Sequence, residues 1–213
     1  MTNTLSVSTI ENYVPNASAL VIFAHGAGAD KSSAFMNEIS RLLNDENINV
    51  LRFNFNYMDK RLADQKRYPP ERMPKLIACF ESVLDTIDSQ LPIFLAGKSM
   101  GGRVAATMAE NSLDNVKGVM CLGYPFHPQK QPEKLRLAPL QQTTLPVLII
   151  QGERDALGSK KEISAYEISG LCQITFLADG DHNLKPRVKS GYNHQQHLQS
   201  AVNAMTGFIL DKS

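Results

Sequence analysis

Four short apolar runs, each closing on glycine or a polar turn, constrain the fold more than any other feature of the chain: SALVIFAHG at 18–26, LPIFLAGKS at 91–99, VKGVMCLGY at 116–124 and LPVLIIQGERD at 145–155. None alternates strictly between apolar and polar residues, as expected of strands covered on both faces. Two weaker runs, INVLRFNFN at 48–56 and CQITFLADGD at 172–181, extend the series. Between the runs lie stretches with helical period, over 33–43, 74–87, 102–109, 160–167 and 194–210. This alternation predicts an α/β protein with a mainly parallel central sheet and helices on both of its faces. Ligands and reacting groups gather at the carboxyl ends of such strands, so the closing turns are where chemistry belongs.

The chain of 213 residues shows no repeat, low-complexity tract or linker, so a single domain over 1–213 is expected. A net charge of +1 with 20% charged residues gives no basic face for nucleic acid. The opening MTNTLSVSTIENYVPN has neither the basic start nor the apolar run of an export signal, and no apolar stretch is long enough to span a bilayer. Membrane insertion is therefore not expected. Cys79, Cys121 and Cys172 are widely spaced in apolar surroundings, which predicts buried thiols in a reducing cytoplasm rather than a disulfide framework. The sequence leaves the oligomeric state open.

The stretch FLAGKSMGGRVA at 94–105 admits two chemistries. Gly-Lys-Ser ends a nucleotide-binding P-loop, but that motif needs a glycine five places before Gly97, where the chain has Pro92, which has no N–H to offer a phosphate. Gly-x-Ser-x-Gly presents a nucleophile on a sharp turn between a strand and a helix, and LPIFLA and GRVAATMAE are such elements. Ser99 is the candidate nucleophile, with Gly97 and Gly101 leaving room where a side chain would collide. Lys98 is expected to point aside. The alternative is a serine that merely caps the helix.

Turns elsewhere supply an acid and a base. GERDALG closes one strand with Asp155, and ADGDHNLKP closes the last with His182. Together with the serine turn they resemble the α/β-hydrolase superfamily, whose chain order is serine, acid, histidine, over about 19–210 of this chain. The resemblance implies Ser99 as nucleophile, His182 as base and Asp155 as the group that orients it. Glu153 and Asp181 are the rivals for the acid, and His127 for the base. His194 and His197, three apart on the closing helix, fit exposure or capping, with no third ligand for a metal. The oxyanion hole is expected from the N–H groups of Met100 and of Ala27 in FAHGAGAD, where His25 reads as a brace. A dinucleotide fingerprint there fails because Lys31 stands where the third glycine belongs. Gly26, Gly28, Tyr124 and Phe126 are the candidate substrate contacts.

About twenty residues separate the strands ending near Gly123 and beginning near Pro146, too few for a helical lid. The irregular stretches 57–73 and 124–144 should overhang the site. The first carries Lys60, Arg61, Lys66, Arg67 and Arg72, which would either attract an anion or form a solvated loop offset by Asp59, Asp64 and Glu71. The compact layout is similar to the dienelactone-hydrolase-like group, although dienelactone hydrolases themselves use cysteine. RFNFNYM, KSMGGR, LGYPFHP and DGDHNLKP further resemble small hydrolase-like proteins related to a human testis-expressed protein and to a subunit of a chromatin acetyltransferase complex, except that Asn56 stands where proline is expected. The resemblance implies a serine esterase or thioesterase acting on a small acyl substrate without metal or organic cofactor. The competing class is a binding or scaffold protein on the same fold.

Overall fold

The computed structural model describes residues 7–213; the polar residues 1–6, which open the stretch read for an export signal, lie outside it. All six apolar runs are strands: β2 (Ala19–Ala24), β3 (Ile48–Phe53), β4 (Ile93–Lys98), β5 (Val116–Leu122), β6 (Val147–Gly152) and β7 (Cys172–Leu177). A further strand, β1 (Thr9–Asn12), runs antiparallel along β3 at the sheet edge. Its sequence, TIEN, has no apolar pattern; pairing with β3, not composition, makes it a strand. The order is β1-β3-β2-β4-β5-β6-β7, with every pairing except that of β1 parallel.

The absence of strict alternation in the runs has a direct cause. In β2, Leu20, Ile22 and Ala24 enter one core, while Ala19, Val21 and Phe23 enter another across the sheet. The first core is closed by α3 (Met73–Leu84) and α4 (Met100–Met108), which contribute Leu76, Phe80, Val104 and Met108. The second is closed by α1 (Ala34–Asp45) and α7 (His194–Lys212), which contribute Ile39, Leu43, Val202, Met205 and Ile209.

Two more helices, α2 (Asn56–Asp64) and α5 (Ala138–Gln141), occur in the stretches that read as irregular. Only Tyr57 and Met58 of α2 are buried, so its sequence carries no apolar period to read. The helical pattern over 160–167 gives only a short α6 (Lys160–Ile163), capped by Ser159 and Glu162. Residues between β5 and β6 hold only α5, so no lid covers the carboxyl end of the sheet.

From β2 the chain moves outward to β3 and then returns to β4 on the other side, which makes the β2/β4 boundary the topological switch point. Ala24 pairs with Gly97 there, so the loop holding Gly26, Ala27 and Gly28 and the turn holding Ser99 leave the sheet side by side.

Candidate active site

Ser99 has φ 51° and ψ −111°, a conformation that a residue with a side chain adopts only when its surroundings impose it. Packing imposes it here. A Cβ on Gly97 would lie 2.1 Å from backbone atoms of Gly101 and Gly102, so only glycine lets strand and helix approach this closely. The Ser99 N–H donates to Leu122 O at 3.0 Å, tying the turn to β5, and the Arg103 N–H donates to Ser99 O as α4 begins.

The closing turns of three strands meet at this serine. The His182 ring lies with Nε2 2.8 Å from Ser99 Oγ and Nδ1 2.7 Å from Asp155 Oδ2. A carboxylate only accepts, so Nδ1 carries the proton and Nε2 is left to accept from the serine hydroxyl. Asp155 is buried, and its other contacts hold it in place. Oδ1 accepts from Leu157 N at 2.8 Å, and Oδ2 also accepts from Gln151 Nε2 at 2.9 Å. Gln151 Nε2 also lies within hydrogen-bond distance of Gly158 O and Tyr124 O, so its two hydrogens are shared among three acceptors. The rivals are engaged elsewhere. Glu153 pairs with Lys160 and accepts from Asp179 N, and Asp181 accepts from Asn183 N and Lys185 N to close the turn that carries His182.

The loop after β2 is braced as well as glycine-rich. Phe55 N donates to His25 Nε2 at 3.1 Å, which puts the proton on Nδ1, and Nδ1 donates to Gly26 O at 2.7 Å. Burial lowers the His25 pKa to about 4. Tyr57 and Arg61 both donate to Ala27 O. Among the described residues, neither the Ala27 N–H nor the Met100 N–H has a partner in the protein. Both residues line a cavity of about 440 Å³ together with Ser99. A second cavity of about 300 Å³ also reaches Ala27 and Ser99 and is otherwise lined by Gly26, Gly28, Phe35, Met36, Lys98 and His182. No protein atom would come within 4 Å of a Cβ on Gly28, so the space this glycine leaves open is not taken up by packing.

Lys98 does not point aside. Its side chain is buried, and Nζ donates to His182 O at 2.7 Å and lies 5.7 Å from the Phe35 ring. Burial lowers its pKa to about 8, and the nearby Asp155 and Asp181 oppose that shift. Tyr124 and Phe126, expected at the substrate, are instead fully buried and reach neither cavity. The Tyr124 hydroxyl donates to Arg136 O, and Phe126 packs on Tyr124 and Tyr166; apolar rings this large complete the core under the loop. Their neighbours Pro125 and Pro128 line the larger cavity instead. His127 is buried against Pro128 O and touches neither cavity. His197, expected to be exposed, is buried with Nδ1 2.8 Å from Leu184 O, while His194 is half-buried beside Asn183 O.

Gln151, Tyr57 and Arg61 are positioning residues that the sequence does not advertise. The one signal for Gln151 is a polar side chain at the end of the apolar run LPVLIIQG. No group of three or more metal-ligating side chains occurs among the described residues. None of their helices is long and apolar enough to cross a membrane.

A sequence model of the family described as an alpha/beta hydrolase domain matches residues 17–210. Among solved structures, the chain superposes on a dienelactone hydrolase from Anabaena variabilis with a TM-score of 0.76 at 17% identity, covering 99% of this chain and 94% of that one. Est1E from Butyrivibrio proteoclasticus gives 0.71 at 16% identity, covering 97% and 94%. XC6422 from Xanthomonas campestris, described as an α/β serine hydrolase without a lid, gives 0.66 at 15% identity, covering 93% and 89%.

Proposed function

Since the chain belongs to the alpha/beta hydrolase domain family, with the lidless form of that fold, we propose that it is a serine hydrolase cleaving a carboxylic ester or thioester through an acyl-enzyme. The observation that carries this reading is the continuous hydrogen-bonded series from Ser99 through His182 to buried Asp155, at 2.8 and 2.7 Å.

In the first half-reaction Ser99 Oγ bonds to the substrate carbonyl carbon while its proton passes to His182 Nε2. The negative charge that develops on the carbonyl oxygen is received by the N–H groups of Ala27 and Met100. Asp155 keeps the proton of Nδ1 in place and stabilises the imidazolium. The bond to the leaving oxygen or sulfur then breaks, and that atom takes the proton from Nε2. In the second half, water gives its proton to Nε2, attacks the acyl carbon and releases the acid, and Ser99 recovers its proton. None of these steps needs a metal or organic cofactor.

Kinship with the testis-expressed and acetyltransferase-subunit group is part of the same reading, supported by the motifs quoted above. So is a reducing, cytoplasmic setting, which the three free cysteines favour. A fluorophosphonate probe tests the proposal. The wild type becomes labelled and Ser99→Ala does not, and folded wild type that resists the probe and cleaves no p-nitrophenyl ester would count against a hydrolase.

A further inference from the structure

The two cavities beside Ser99 differ in one respect that sorts the substrate. His182 lines the smaller cavity and is absent from the larger one. The leaving atom must take its proton from His182 Nε2, so the leaving group belongs on the side of the smaller cavity and the acyl chain on the side of the larger.

Two arginines line the acyl-side cavity. It is lined by Met73, Leu76 and Leu157, and also by Arg103, Arg136 and Glu71. Arg103 stands one helical turn after Ser99, about 6 Å along the axis of α4, and lines the cavity together with Ser99 and Met100. Among the described residues, no carboxylate lies within ion-pair distance of Arg103 or Arg136. Arg103 Nε is buried without a hydrogen-bond partner, as is Glu71 Oε2. Burial, and then the charge of Arg103, lower the Arg136 pKa, so the two cations feel each other across the cavity. Two guanidinium groups against one carboxylate leave a net positive charge and unused donors in a partly desolvated site. An anion with two acceptor oxygens would satisfy both.

We propose that the preferred acyl group carries its own carboxylate: the substrate is a half-ester or half-thioester of a short dicarboxylic acid, whose free carboxylate is held by Arg103 and Arg136. This rests on the hydrolase reading above. Glu71, the one carboxylate lining this cavity, opposes the bound anion, so Glu71→Gln strengthens the preference.

The test compares two p-nitrophenyl esters of equal acyl length, the glutarate half-ester and the neutral valerate, corrected for spontaneous hydrolysis. Wild type is expected to show kcat/KM at least 10-fold higher for the half-ester. That ratio should fall about 10- to 100-fold in Arg103→Gln and in Arg136→Gln, the loss of one charge-assisted hydrogen bond, with partial recovery in Arg103→Lys. Equal or poorer use of the half-ester by wild type, or a ratio that neither glutamine variant moves, would overturn the proposal. A second readout separates this from failure of the hydrolase reading. Glutarate binding to Ser99→Ala protein, measured by calorimetry, needs no turnover. If neither ester is cleaved, binding that weakens in Ser99→Ala/Arg103→Gln upholds the anion site, and absent or unweakened binding removes it.

Discussion

The Lys98 ammonium donates to the backbone carbonyl of His182 at 2.7 Å, so the residue before the candidate nucleophile fastens the turn that carries the candidate base. One residue thus sets two positions: its backbone enters the serine turn and its side chain reaches across to the neighbouring strand end. Lys98→Met removes that fastening. Small displacements of reacting groups are costly, and we expect kcat to fall about 10- to 100-fold with little change in KM, measured on p-nitrophenyl esters. Stability supplies a separate check. The Lys98 pKa is about 8 in the folded chain against 10.5 unfolded, so between these values the unfolded chain binds more protons and stability from this group rises with pH. The urea-derived stability of wild type minus that of Lys98→Met should therefore climb by up to about 3 kcal/mol from pH 8 to 10.5.

His25 titrates in the acid range. Its folded pKa of about 4 lies below the unfolded 6.5, so above pH 6.5 both states are neutral and the group costs nothing. Between 6.5 and 4 the unfolded chain takes up a proton that the buried ring refuses, and stability falls as pH falls. His25→Gln lacks this loss. It should be less stable than wild type at pH 7, having disturbed the bonds to Phe55 N and Gly26 O, with the gap narrowing by up to about 3 kcal/mol by pH 4. A gap that stays constant across this range would show that the folded chain takes up the His25 proton as readily as the unfolded one.

Asp155→Asn keeps the shape of the buried acid and reverses its polarity toward the ring. An amide N–H facing His182 Nδ1 would draw the proton to Nε2, where it blocks acceptance from Ser99. We expect kcat to drop about 10⁴-fold, as loss of the correct tautomer does in such triads. The Leu157 N–H can still donate to the amide oxygen, so thermal unfolding should show a folded protein.

How much of this was legible depended on whether a local pattern decided the outcome. Strand ends and turn residues are local signals, so Ser99, Asp155 and His182 could be located from the runs that precede them. Alternate residues of β2 and β4 feed opposite cores, which is why these strands read as solid apolar runs. By contrast β1 exists because β3 offers an edge, and α2 because Tyr57 and Met58 find a core; neither fact is written into TIEN or NYMDKRLAD. Lys98 misled because a lysine at a strand end is usually solvated, and only the fold shows His182 O waiting for it. Tyr124 and Phe126 misled in the other direction. Their place in the sequence, next to a strand end of the site, points to the substrate, but the chain turns their rings under the loop and presents Pro125 and Pro128 instead.

Two glycines of the site should respond to alanine in opposite ways. At Gly97 a methyl group would lie 2.1 Å from Gly101 C and Gly102 N, backbone atoms that cannot yield without opening the serine turn. Gly97→Ala should cost more than about 4 kcal/mol, seen as loss of the cooperative urea transition or failure to accumulate as folded protein. At Gly28 the same methyl group meets no protein atom within 4 Å and the backbone is not left-handed, so stability should change by less than about 0.5 kcal/mol. The new methyl group instead narrows the space beside Ala27 and Ser99, which Gly28 helps to line. Gly28→Ala is therefore expected to unfold like wild type yet lose about 10-fold or more in kcat/KM for p-nitrophenyl esters, with the larger loss for bulky leaving groups because His182 lines that side. Retained activity would place the substrate away from the loop after β2, and with it the Ala27 N–H away from the oxyanion.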